Sequence, residues 1–300
     1  MKKNILHFFK IVFALVIIFY LYQTNKISLQ FFIDFLNFKQ LFFCITFFII
    51  FYFVSVFRWF YILKKIDKSI KFSECFKYDS LSIIFNFLLP IGEISGEIYR
   101  GYLLHKEKNI DMKRVITSLV IDRGSGAFSL IFMSIVFLPM LFYLKYSSEL
   151  FFLLYLFIIL FFFNLKKFFK FLIKVFPKLI NYDLELLKKV FLPCFFISVF
   201  SFCLYFISMM FLYNDVLSNN NILYKSILIF PLGLLINAIP ISPGGLGVGS
   251  LGFIFLSNLF FFENYIFLEN SILALQFLFL LFGLLSFLIF YFFNNSKKNN

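Results

Sequence analysis

Six ionisable side chains stand where a strongly apolar chain has little reason to keep them. Glu93, Glu97 and Arg100 lie in the stretch L-P-I-G-E-I-S-G-E-I-Y-R from Leu89 to Arg100. Asp122 and Arg123 fall about a third of the way along an apolar run that starts at Val115, and Arg58 sits inside another run. Charges in a lipid-like medium are costly, so they mark a pathway, a relay or a mutual pair. Glu93 and Glu97 are four residues apart, and a helix would put both carboxylates on one face with Arg100 beside Glu97. A guanidinium grips phosphate in its planar fork. Arg100 and Arg123 would hold the phosphate of a zwitterionic or anionic head group, while Glu93, Glu97 and Asp122 balance or read the rest of it. The same residues also admit a structural reading, an ion pair between Asp122-Arg123 and one of the two glutamates. Arg58 is expected to snorkel to an interface, with Trp59 as its aromatic anchor.

A second stretch, N-A-I-P-I-S-P-G-G-L-G-V-G-S-L-G from Asn237 to Gly252, carries no charge. The turn around Pro240, Ser242, Pro243, Gly244 and Gly245 would instead present backbone donors, as exposed helix amino ends do toward phosphate. The two stretches together hold 8 of the 12 glycines, counting Gly101, and neither Gly nor Pro occurs before Pro90. They lie roughly half a chain length apart. Paired Pro/Gly-interrupted segments at matching places in two halves point to a transporter-type site at membrane depth.

The elements that must position these residues are membrane helices. Of 300 residues, 62% are hydrophobic, 24% aromatic and only 14% charged, with a mean hydropathy of +0.95. A soluble surface needs about a quarter charged residues. The chain is expected to be an all-α polytopic membrane protein and a single integral domain over residues 1–300. Apolar runs long enough to span occupy Ile5–Tyr22, Leu41–Leu63, Val115–Leu138, Val190–Leu212 and Ser271–Phe293, with a shorter sixth at Leu150–Phe163.

Lys and Arg gather at cytoplasmic ends of spans. Segments 1–10, 64–78, 100–114, 165–189 and 294–300 carry 22 of the 28, whereas 23–40, 140–149, 214–225 and 263–270 carry four. Both termini are therefore expected to be cytoplasmic in a multi-pass protein of the plasma membrane. Residues from about Tyr78 to Tyr99 would enter from the cytoplasm and return. Tyr224 to Phe262 would either dip in from the outer face as a broken pair or form two full spans. The five glycines and two prolines favour the pair, since irregular backbone survives at depth only against protein or a water-filled cavity. Each half, 1–145 and 146–300, then reads as span, span, re-entrant hairpin, span, an inverted repeat of about six spans plus two hairpins. Asn86 with Pro90-Ile91 and Asn237 with Pro240-Ile241 are a faint echo of it.

Other chemistries find little support. Cys44, Cys75, Cys194 and Cys203 are scattered without metal-type spacing. His7 and His105 are the only histidines, and no metal site or cofactor is expected. Nothing resembles a P-loop, a G-x-S-x-G elbow, a zincin motif or a dinucleotide fingerprint, and no loop is long enough for a soluble catalytic domain. The chain is not expected to be an enzyme or to bind nucleic acid. Lys166 to Lys189 alternates apolar residues with seven lysines, the pattern of an interfacial helix or of a topology determinant. The 55 Phe read as compositional bias.

The ordered set L-P-I-G-E-I-S-G-E-I-Y-R-G-Y-L-L, I-D-R-G at Ile121 to Gly124 and P-I-S-P-G-G-L-G-V-G at Pro240 to Gly249, with R-W at Arg58-Trp59, resembles the transmembrane family typified by the membrane part of lysylphosphatidylglycerol synthase/flippase. The resemblance runs from about residue 5 to 293. It implies a flippase-like integral membrane protein whose signature positions are Glu97, Arg100, Asp122, Arg123, Pro240, Pro243, Gly244 and Gly245. The family often has an acid directly after G-V-G, where this chain has Ser250. The expected activity is movement of a phospholipid or lipid-linked sugar between leaflets, with a lipid head group and the membrane as partners. The alternatives are an accessory subunit of a separate lipid-modifying or glycosyl-transferring enzyme, and an ion or small-solute transporter.

Overall fold

The computed structural model describes residues 38–88, 93–146, 184–212, 220–239, 247–261 and 266–296, with Gln23 besides. The described residues form eight helices and no strand: α1 Phe38–Ile66, α2 Phe72–Leu88, α3 Glu93–Lys108, α4 Met112–Tyr146, α5 Leu184–Met210, α6 Asn220–Asn237, α7 Val248–Phe261 and α8 Ile266–Ser296. Three of them, α1, α4 and α5, are long and apolar enough to cross a membrane, and α6, α7 and α8 contain shorter apolar helical stretches. The expected spans at Leu41–Leu63, Val115–Leu138 and Ser271–Phe293 fall wholly within α1, α4 and α8, and Val190–Leu212 coincides with the greater part of α5. Those at Ile5–Tyr22 and Leu150–Phe163, and residues 166–183 of the lysine-rich stretch, lie outside the described residues.

Local chemistry sets ends of the first three helices. Lys64 and Lys65 close α1, where cations favour the negative end of the helix dipole. Asp67 then turns the chain by accepting the Ser69 backbone N–H at 2.8 Å and its hydroxyl at 2.9 Å. Those two bonds hold its carboxyl below the ordinary carboxylate range. Glu74 reaches back to the Lys71 backbone N–H at 2.9 Å and opens α2 as a capping box does. Asn109, with φ 52°, takes the left-handed conformation that Asn tolerates and stops α3. The His105 ring nitrogen lies 2.7 Å from the Ile110 carbonyl oxygen across that stop.

The start of α2 is tied to the end of α3 by charge. Lys108 pairs with Glu74 at 2.6 Å and Lys77 with Glu107 at 2.9 Å, and the Tyr78 hydroxyl donates to Glu107 at 2.8 Å. The two helices are thereby fixed side by side as a hairpin, with Leu88 and Glu93 at the ends remote from these ion pairs.

Helix packing follows a paired scheme. The most extensive contact joins α1 to α5, and the hairpins α2/α3 and α6/α7 each pack internally. Beyond that, α2 lies on α8 and α6 lies on α4, while α4 also packs on α5, a contact that α8 and α1 do not match in extent. Residues of all eight helices share one apolar core, with Phe48, Phe51, Tyr205, Phe230 and Phe253 among its buried rings. Phe42, Phe53, Phe196, Phe255, Leu285 and Ile289 point outward from the helices, the side a membrane protein gives to lipid. Cys44, Cys75 and Cys194 are buried among apolar residues, and Cys203 is exposed.

Candidate functional site

The charged residues singled out by sequence converge on α4. Ser118, Asp122, Ser125, Gly126 and Ser129 form one buried, small-residue face of that helix, spaced three and four apart. The three serine hydroxyls donate to carbonyls of their own helix, at Val115, Asp122 and Gly126. Asp122 therefore supplies the reach of this face. Its Oδ1 accepts Arg58 Nε at 2.7 Å and its Oδ2 accepts Arg100 Nη2 at 2.6 Å. Gly126 leaves the room that Arg58 needs, since a Cβ there would stand 3.3 Å from Arg58 Nη1.

Arg100 is enclosed. Nη1 donates to Asp79 Oδ1 at 2.6 Å, Nε donates to Glu97 Oε2 at 2.8 Å and Nη2 serves both Glu97 and Asp122. The guanidinium also lies 4.4 Å over the Trp59 ring, and the side chain is only 2% exposed. Trp59 is itself fully buried and donates its Nε1–H to Ser118 Oγ at 3.3 Å. The expectation that Arg58 and Trp59 mark an interface is thus corrected. Arg58 faces inward because Asp122 and the Ser198 hydroxyl of α5, at 2.9 Å, satisfy its guanidinium inside the bundle. Arg100, counted with the loop cations by sequence, is likewise a core residue.

Arg123 points the other way. Its Nη2 donates to Glu97 Oε1, yet the side chain is 49% exposed, whereas those of Asp79 and Glu97 are 17% and 12% exposed. The cluster comprises Arg58, Arg100 and Arg123 against Asp79, Glu97 and Asp122, so its formal charge is zero. Arg58, Arg100 and Asp122 form an inner layer, and Asp79, Glu97 and Arg123 the outer one.

Both layers line a cavity of about 470 Å³ that takes residues from α1, α2, α3, α4, α5, α6 and α8. Such a volume falls in the ~300–1,000 Å³ range of small-molecule sites. Aromatic side chains from α1, α5 and α8, including Phe51, Tyr205 and Phe279, wall its middle. Its uncharged polar lining includes the amides of Asn86 from α2, Asn237 from α6 and Gln276 from α8, with Ser55, Ser82 and Ser201 besides. Asn86 Oδ1 accepts the Gly96 backbone N–H at 2.8 Å, and Asn237 Oδ1 accepts Gln276 Nε2 at 2.8 Å.

Each asparagine also sits against a glycine in the return limb of its own hairpin. A Cβ on Gly96 would lie 2.4 Å from Asn86 Oδ1 and 2.3 Å from the Ser82 carbonyl oxygen. A Cβ on Gly249 would lie 2.4 Å from Asn237 Oδ1. No side chain fits at either position without displacing the asparagine. The residues directly after these glycines are Glu97 in one hairpin and Ser250, fully buried, in the other.

Glu97, Arg100, Asp122 and Arg123 are thus brought together as the sequence suggested. Glu93 opens α3, but its side chain lies outside the described residues, as do Pro240, Ser242, Pro243, Gly244 and Gly245. Among the described residues no group of three metal-ligating acids, histidines or cysteines occurs. Asp79, Asn86, Asn237 and Gln276 complete the site. Gln276 had a readable signal, a polar side chain inside an apolar helical run, whereas Asp79 follows Glu74 and Lys77 and had none. Ser198 had none, since serines are frequent in these helices.

A family model described as lysylphosphatidylglycerol synthase TM region matches residues 7–267. The chain belongs to this family. Every described residue of the site apart from Gln276 and Phe279 falls inside the matched range, so the charged cluster and the asparagine pair lie within the family's membrane region. Gln276 lies just beyond it, in the α8 segment that packs on α2. Membership places the protein among multi-helix membrane proteins concerned with lipid. No curated protein and no solved structure matches the chain.

Proposed function

We propose that this protein moves a phosphate-bearing lipid, a phospholipid or lipid-linked sugar, between leaflets. The carrying observation is the 470 Å³ cavity, lined by charged side chains and amides, inside a bundle of the lysylphosphatidylglycerol synthase TM family. A head group is a polar body on an apolar tail, and such a cavity between membrane helices offers polar partners where the bilayer offers none. Arg123, the most exposed cation of the cluster, would meet the phosphate. Arg100 and Arg58, which also line the cavity, would brace it through Asp79, Glu97, Asp122 and Ser198.

An inverted repeat with two re-entrant hairpins is supported by the paired packing. Exchanging α1–α4 for α5–α8 turns the α2 to α8 contact into the α6 to α4 contact, and returns the α1 to α5 contact to itself. The Asn86–Gly96 and Asn237–Gly249 approaches correspond under the same exchange. Lengths agree: α2, α3 and α7 have 17, 16 and 14 residues, or roughly 26, 24 and 21 Å at ~1.5 Å per residue, short of a hydrocarbon core of ~30 Å. The reading also carries a plasma-membrane location, cytoplasmic termini and the absence of a chemical reaction, with flux either passive or ion-coupled.

The test is leaflet exchange of fluorescent phospholipids in vesicles that contain the purified protein. Exchange well above that of empty vesicles is expected. No exchange for any of several anionic and zwitterionic lipids would overturn the proposal and favour an accessory subunit of a separate transferase.

A further inference from the structure

Resting on that reading, we infer that Asp79 takes up one proton for each anionic lipid phosphate that enters the cavity, so that phosphate and proton cross together. Charge balance carries the first step. Three guanidinium groups stand against three carboxylates, and the cluster is neutral as it is. A lipid phosphate that reaches Arg123 adds a single negative charge inside the bundle, where an uncompensated charge is costly. One proton on a lining carboxylate cancels it. The loaded cavity then carries the same net charge as the empty one. A zwitterionic lipid adds no net charge and needs no proton.

Partner geometry singles out Asp79 among the three acids. Asp122 is held by Arg58 and Arg100, and Glu97 by Arg100 and Arg123. Asp79 accepts one guanidinium N–H, from Arg100 Nη1, and shares that arginine with both other acids. Opposite charges hold a carboxyl in its ionised form and neighbouring carboxylates oppose it, so the acid with the smallest share of cation is the first to accept a proton. Asp79 is also within reach, since it lines the cavity and its side chain is 17% exposed, against 2% for Asp122. Arg100 occupies Oδ1, which leaves Oδ2 for the proton. Facing Asp79 are Glu97 and Arg100 from α3, Asp122 and Arg123 from α4, and the Tyr52 hydroxyl from α1, 3.0 Å from Ser80 Oγ. Arg58 of α1 lies behind Asp122, and Cys75 stands one turn earlier on α2. Residues 270–286 of α8, the other helix packed on α2, include no titratable side chain. The O–H bond forms with a proton from solvent and breaks to return it when the phosphate leaves, and no bond of the lipid changes. Binding is reciprocal: a phosphate at Arg123 favours the proton on Asp79, and the proton favours the phosphate by the same factor.

The test reconstitutes the purified full-length protein in phosphatidylcholine vesicles with a trapped pH dye. Leaflet exchange of fluorescent phosphatidylglycerol, singly anionic, and of fluorescent phosphatidylcholine, zwitterionic, is followed with and without an inward proton gradient at fixed internal pH. The gradient is expected to speed inward movement of phosphatidylglycerol at least fivefold and that of phosphatidylcholine less than twofold. Added phosphatidylglycerol should acidify the lumen, and added phosphatidylcholine should not. Asp79→Asn keeps an oxygen for Arg100 but cannot ionise, and it should remove both the gradient dependence and the dye signal. Trp59, the single tryptophan, stacks on Arg100 and reports without transport. Its emission in detergent should titrate with pH, with a midpoint that phosphatidylglycerol moves upward by at least threefold in proton concentration, and Asp79→Asn should abolish the titration. Phosphatidylglycerol exchange that ignores the gradient, equal acceleration of the two lipids, movement of phosphatidylcholine alone, or a Trp59 titration that survives Asp79→Asn overturns the inference while leaving lipid movement intact. Absence of exchange for both lipids overturns the function as well. If Asp79→Asn does not fold, the comparison of the two lipids in the unsubstituted protein decides.

Discussion

The hairpins α2/α3 and α6/α7 are built alike and filled differently. Both set an asparagine near the end of the first limb against a glycine in the second. The first then continues with Glu97 and Arg100 and meets Asp122 of α4, whereas the second continues with Ser250 and meets Gln276 of α8. All four arginines of the chain precede residue 146, and among the described residues the buried polar groups from α5 onward are serine, asparagine and glutamine. One backbone plan therefore carries an ionic core beside the asparagine of the first hairpin and only neutral polar groups beside that of the second. The ionic core resists change, since each buried ion depends on its partners. The neutral group is cheaper to alter.

That contrast is exposed first by deleting one acceptor on each side. Asp122→Ala leaves Arg58 and Arg100 short of a partner within the bundle, and breaking a buried pair costs about 3–5 kcal/mol. Gln276→Ala removes one neutral hydrogen bond to Asn237, worth about 1 kcal/mol. Thermal unfolding in detergent is expected to show a large loss for the first and a small one for the second. Equal losses would mean that the ionic core does not anchor the fold.

Supplying the missing acid sharpens the comparison. Ser250→Asp places a carboxylate at a fully buried site in a half that has no arginine of its own. A destabilisation of about 2–4 kcal/mol is expected from burying an uncompensated charge. Unchanged melting would show that an arginine of the first half reaches across the cavity.

The glycines give a finer test. Gly96→Ala drives a methyl into a backbone carbonyl as well as Asn86, and Gly249→Ala meets only side-chain atoms of Asn237. Overpacking costs about 1–3 kcal/mol, with Gly96→Ala at the upper end and Gly249→Ala at the lower. The reverse order would show that the second hairpin is the stiffer.

The smallest effect is expected at the seam between the halves. Arg58→Lys keeps a charge for Asp122 but loses the fork that also reaches Ser198 of α5. A loss of about 1 kcal/mol in the same unfolding measurement is expected.

Much of this was legible in sequence, because ionisable residues in an apolar chain are few and their spacing is informative. Glu97, Arg100, Asp122 and Arg123 stood out on those grounds, and the paired Gly/Pro interruptions fall at the junctions of α2 with α3 and of α6 with α7. What sequence could not supply was partner choice. Arg58 has the spacing of a snorkelling residue, and only the small-residue face of α4 brings its guanidinium to Asp122. Asp79 sits at the border between the charged loop and the apolar run, so its burial depends on Arg100 folding back over it. Asn237 and Gln276 are 39 residues apart in chain order and meet through packing that no local pattern encodes.

The central claim is that charged and amide groups form one lipid site. It is tested most directly by leaflet exchange in vesicles with Arg123→Gln and, separately, Asn237→Ala, both chosen at positions that border the cavity. Each variant is expected to keep its melting temperature within a few degrees and to lower exchange at least fivefold. Exchange at the unsubstituted rate in Asn237→Ala, with Arg123→Gln impaired, would contradict a site shared between the two halves.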